Sequence, residues 1–187
     1  ELLASQEKDI KLTSIRWYLY DFKRDGLIAD VSRGVYTLQR NDFSPDIKLH
    51  NIKKISHKIH TNLPYLKYCI WTTSWLRDLM IHQPATSISL IEVEAGAENS
   101  VFSLLQDDIE GALIKPTTIE IERYVLGSNK FIIKPLVHDS PISNHQVPIP
   151  RIEKILVDLF IEKDLFLPFQ GKELANIYAN AFSNFSV

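Results

Sequence analysis

One stretch limits the fold more than any other: helical apolar spacing stops at a glycine, and two short β-prone runs follow at once. Ile15, Tyr18, Leu19 and Phe22 recur at helical intervals, which predicts one apolar face. Thr13 or Ser14 is placed to cap the start, and Gly26 to end the helix, because glycine accepts the positive φ of a C-terminal cap. Leu27, Ile28 and Ala29 then read as a strand, Ser32, Arg33 and Gly34 as a tight turn, and Val35 to Leu38 as the returning strand. Helix, glycine and hairpin in that order make a winged helix-turn-helix. The chain opens at Glu1, without methionine, inside what reads as a helix. Residues 1–40 are therefore expected to be a winged helix-turn-helix lacking its first helix.

The full chain has 187 residues, too many for that module alone. Linker chemistry from Asn41 to Pro45 separates it from a second domain, residues 46–187. There Ile52, Ile55 and Ile59 mark an amphipathic helix ending before Pro64. Strand-like runs at 68–71, 88–93, 112–114 and 131–136 alternate with helix-like runs at 74–80, 97–106 and 118–124. That alternation predicts a mostly parallel sheet covered on both faces. Residues 137–150 read as a polar, proline-containing loop. Two C-terminal helices follow, 151–162 and 172–185, the first with Ile152, Ile155, Leu156 and Leu159 on its inner side.

Composition narrows the function classes. With 45% apolar and 24% charged residues, the chain is a globular protein and not a disordered one. Cys69 is the one cysteine, so no internal disulfide and no multi-cysteine metal site exists, which fits a reducing cytoplasm. No apolar run reaches the roughly 20 residues of a membrane span. A net charge of −2 argues against indiscriminate coating of nucleic acid, but the charge is unevenly placed. Between Asp46 and Lys67 stand five lysines, three histidines and one acid; between Glu92 and Glu122 stand eight acids and only Lys115.

If one face of the first helix is buried, Ser14, Arg16, Trp17, Tyr20, Lys23 and Arg24 point outward. Hydroxyls near a helix start meet phosphates, and arginine reads guanine edges in the major groove. Arg33 sits at the hairpin tip, where a wing reaches phosphate or the minor groove. The expected DNA contacts are Thr13, Ser14, Arg16, Trp17, Tyr20 and Arg33.

The most enzyme-like feature is Glu92 with Glu94 at a strand end, since carboxylates two apart can hold a divalent metal in nucleases. The constellation is incomplete: the preceding strand ends in Thr72 and Thr73, Val93 stands between the glutamates, and no lysine sits beside them. His57 and His60, three apart, lack a carboxylate or cysteine nearby to complete a metal site. His82 reads as a hydrogen-bonded loop residue, and Cys69 as buried. There is no glycine-rich phosphate loop and no serine-hydrolase elbow. No cofactor and no catalytic residue is assigned.

With those residues laid out, the stretch from Ser14 to Ile28, closing on Arg33, Gly34, Val35 and Tyr36, resembles the winged helix of the AbiEi family, the abortive-infection antitoxins of type IV toxin–antitoxin systems. The likeness continues through Ile70 to Thr73, His82 to Pro84, Ile91 to Glu94, Val147 and Pro148, Glu153 to Asp158, and Phe169 to Leu174, in the manner of a Bacteroidetes-type branch. The resemblance implies a cytoplasmic regulator that represses its own operon by binding operator DNA. It also implies a C-terminal domain that counteracts a nucleotidyltransferase-like toxin without necessarily holding it in a complex, no catalysis, and further basic helical sequence past Val187. The rival readings are a metal-dependent nuclease centred on Glu92 and Glu94, and a regulator whose second domain senses a small ligand.

Overall fold

The computed structural model describes residues 12–38, 42–48, 51–144 and 146–185, with the side chains of Leu12, Thr13, Leu38 and Asn144 excepted. It is a mixed α/β protein that divides into two compact units, one up to Asp42 and one from Phe43 to Phe185.

Unit 1 holds helix α1 (Leu12–Arg24) and a hairpin of β1 (Ile28–Ser32) and β2 (Val35–Leu38). Gly26, at φ 69°, ends α1. The Leu27 N–H donates back to the Phe22 carbonyl at 2.8 Å and the Gly26 N–H to Lys23 at 3.1 Å, which is the paired closure a left-handed cap residue allows. The hairpin turns at Arg33 and Gly34, where Gly34 has φ 77°, and a register shift between Asp30 and Ser32 bulges β1. Two expectations are corrected. The chain is already helical at Leu12, so Thr13 and Ser14 lie in the first turn and do not cap it. Tyr18 and Phe22, expected on a buried face, are 51% and 43% exposed; the one helix and two-stranded ribbon among the described residues of unit 1 offer too little surface to enclose two rings. The remainder of a helix-turn-helix would fall among residues 1–11, outside the described residues.

Unit 2 is built on a four-stranded sheet in the order β3 (Tyr68–Thr72), β4 (Ile88–Val93), β6 (Lys130–Pro135), β5 (Leu113–Ile114). β4 and β5 run parallel to β6, while β3 is antiparallel to β4. The sheet is therefore mixed. The reason lies in residues 73–87: Thr73–Leu79 forms tight 3-10 turns instead of a crossover helix, so the chain re-enters beside β3 in the opposite sense.

Both faces are covered, and side-chain alternation shows how. Tyr68 pairs with Val93, and its hydroxyl meets Ser56 Oγ at 2.9 Å, which places α2 (Ile52–Asn62) on that face. Cys69, Glu92 and Lys134 lie abreast on the other face, where Glu92 meets α5 (Ile152–Ile161). Ile52, Ile55 and Ile59 of α2 and Ile152, Ile155, Leu156 and Leu159 of α5 are all buried, as their spacing predicts. α3 (Glu98–Leu105) buries Val101 and Leu105. α4 (Thr118–Glu120) starts on a capping box between Thr117 and Glu120 and runs into a π-helical stretch to Val125. α6 (Lys172–Asn184) closes the described chain, its Tyr178 hydroxyl donating to the Leu156 carbonyl at 2.8 Å. The stretch 137–150 is not a plain loop: β7 (Ile142–Asn144) and β8 (Pro148–Pro150) pair in it as a hairpin. Among the described residues no helix is long and apolar enough to cross a membrane.

Candidate nucleic-acid interface

Residues 16, 17, 20, 23 and 24 form one stripe of α1, because steps of three and four return to the same side of a helix. Arg16 is exposed, Trp17 is 63% and Tyr20 65% exposed, and Ser14 is half-buried. The Thr13 side chain lies outside the described residues. Arg33 is exposed at the hairpin tip. The stripe's cations are not equivalent. Lys23 bonds Asp30 across to β1, and Arg24 bonds Asp21 at 2.9 Å and Asp25 at 3.1 Å. Among the described residues neither Arg16 nor Arg33 has a carboxylate partner, so their guanidinium donors are available to an anion. Two large aromatics left in solvent beside a free arginine are what a surface for a partner looks like.

The glutamate pair expected at the end of β4 does not form. Glu92 is fully buried, whereas Glu94 lies exposed just beyond the strand, its backbone N–H drawn to the Lys67 carbonyl. Glu92 Oε1 accepts from Trp71 Nε1 at 2.7 Å, and Lys154 Nζ donates to both carboxylate oxygens at 2.8 and 2.7 Å. Lys154 also reaches Asp158 at 2.6 Å, one turn along α5. Lys134 stands 4.0 Å from Glu92 and 3.7 Å from Asp158, and bonds Glu162. Burial pushes the Glu92 carboxyl above its usual range, against the two ammonium groups that pull it down. Burial also works to lower Lys154, but Glu92 and Asp158 outweigh it and hold that ammonium above its ordinary value. Burial, with Glu92 alongside, pushes the Cys69 thiol well above its usual value, as suits a buried cysteine.

This cluster is a buried ion network with its donors and acceptors matched. An ammonium occupies the carboxylate oxygens that a catalytic metal would need. Among the described residues no three histidine, cysteine, aspartate or glutamate side chains are grouped to hold a metal ion. Reading the sequence did not find Lys134, Lys154 or Glu162. The signal was present: Lys154 and Asp158 sit four apart, flanking Ile155 and Leu159 on the inner side of α5, and Lys134 interrupts an apolar strand. His82 is a bonded loop residue as expected, its ring and N–H meeting Glu173 at 2.7 and 3.3 Å.

The model of a protein family described as "Family of unknown function (DUF6577)" matches residues 14–187. The chain belongs to the DUF6577 family. The match runs from the first turn of α1 through unit 2, so both units are part of what defines a DUF6577 protein. No curated protein and no solved structure matches the chain.

Proposed function

We propose that this DUF6577 protein is a DNA-binding transcriptional regulator that serves as the antitoxin of a type IV toxin–antitoxin pair. On this reading unit 1 is a winged helix-turn-helix: α1 enters the major groove of operator DNA and the β1–β2 hairpin is the wing. The observation that carries it is the exposed stripe of Arg16, Trp17 and Tyr20 on a helix followed directly by a ribbon with exposed Arg33 at its tip. Arginine donors suit guanine edges and phosphate, and aromatic faces suit sugar and thymine methyl contacts. The antitoxin half rests on the resemblance of the motifs quoted above to AbiEi antitoxins, with the partner a nucleotidyltransferase-like toxin and the site of action the cytoplasm. No catalytic step is assigned to either unit. The buried pairing of Glu92 with Lys154 removes the observation on which the nuclease reading stood.

The test is genetic and uses the full-length protein. A reporter driven by the operon's own promoter should be repressed when the protein is supplied, and growth arrested by the adjacent toxin gene should recover. An unrepressed reporter contradicts the regulator, and growth that stays arrested contradicts the antitoxin.

A further inference from the structure

The surplus of lysine and histidine between Asp46 and Lys67 is resolved by the geometry of α2. Lys54 and Lys58, four apart, both turn to Asp108 beyond α3, at 2.7 and 2.6 Å. Lys53, His57 and His60, at steps of four and three, form a different stripe of the same helix. Among the described residues these three have no carboxylate partner. They face a cleft of about 410 Å³, closed on its other side by Tyr68 of β3 and by Gln146 and Pro148 of the β7–β8 hairpin. None of the described residues lining it is an aspartate or glutamate. The neighbouring cleft, which shares His60 and Tyr68, differs in carrying Glu94 and Asp139.

We propose that the first cleft is a binding site for a small phosphorylated molecule. Lys53 brings a positive charge that no carboxylate among the described lining residues offsets, and a concavity of that kind draws in ions of the opposite sign. Its volume lies within the roughly 300–1,000 Å³ of small-molecule sites. From Lys53 to His60 the donors extend over about 10 Å of helix axis at ~1.5 Å per residue, longer than one carboxylate can use. Phosphate oxygens accept from the ammonium and the imidazole N–H groups. Gln146 offers an amide, and Tyr68 with Pro148 offers an apolar wall for the organic part of the ligand.

The site lies wholly in unit 2 and owes nothing to α1, so the inference goes beyond the regulator reading. Its test contains no DNA. Full-length protein is titrated calorimetrically with inorganic phosphate, pyrophosphate and AMP at constant ionic strength. Saturable one-to-one binding, millimolar or tighter, is expected for at least one probe. Lys53→Gln combined with His57→Gln should weaken it about tenfold or more with an unchanged melting temperature, since both side chains are exposed. Lys54→Gln, on the stripe that serves Asp108, should leave the affinity as it was. Absence of saturable binding by all three probes overturns the proposal, as does an equal loss of affinity in Lys54→Gln.

Discussion

Lys154 holds both carboxylate oxygens of Glu92, at 2.8 and 2.7 Å, across 62 residues of chain and with neither side chain open to solvent. The contact fixes α5 to the centre of the sheet.

Breaking that pair should be costly because it strands a charge. Lys154→Met leaves Glu92 buried without its main partner, and removal of one member of such a pair costs about 3–5 kcal/mol. Urea denaturation reads the loss directly. The double variant Glu92→Gln with Lys154→Met should recover part of it, since no ion is then left uncompensated. A single variant within about 1 kcal/mol of wild type would mean that the cluster is hydrated, not sealed.

Leu156 is 2% exposed on the inner side of α5. Leu156→Ala should lower stability by about 2–5 kcal/mol through lost burial and the cavity it leaves. An unchanged denaturation midpoint would place this face of α5 away from the core.

Much of unit 2 was legible because its elements carry clear periods. The steps of three and four in Ile52, Ile55 and Ile59, and in Ile152, Ile155 and Leu159, gave two helices with the inner face correct. The runs at 68–71 and 88–93 gave β3 and β4 nearly to the residue. Strand direction was legible for β4, β5 and β6, which run parallel as the alternation of helix and strand implies, but not for β3: Thr73–Leu79 makes 3-10 turns where a helix was expected, and the chain returns antiparallel. The β7–β8 hairpin was missed because Pro148 and Pro150 argue against strand, yet an edge ribbon tolerates them. The Glu92 cluster was missed for a different reason. Its five charged members, Glu92, Lys134, Lys154, Asp158 and Glu162, come from β4, β6, α5 and the residue just past α5, and only the three-dimensional structure shows that they meet.

Acid sensitivity should include a contribution from Asp108. Hydrogen bonds from Lys54 and then Lys58 hold its carboxyl below the ordinary value of 3.8. A carboxyl depressed in the folded state stabilises the fold above its unfolded value, and that stabilisation is lost as pH falls through the folded value. Asp108→Asn should therefore reduce stability at neutral pH, and the gap to wild type should close below about pH 3.8. Melting temperatures measured from pH 7 down to pH 3 check the sign. A gap that widens on acidification would contradict the assignment of Asp108 to the α2 lysines.

The regulator reading stands or falls on α1. The most direct measurement is a fluorescence-anisotropy titration of the operon's own promoter DNA with full-length wild type and Arg16→Ala, beside a scrambled fragment of equal length. Arg16 is exposed and has no carboxylate partner among the described residues, so its removal should leave the melting temperature in place. If it reads a base edge, promoter affinity should fall by about 1–3 kcal/mol, bringing it closer to the affinity for scrambled DNA. Wild type that binds promoter and scrambled DNA alike, or an Arg16→Ala variant with undiminished promoter affinity, would contradict the placement of α1 in the major groove.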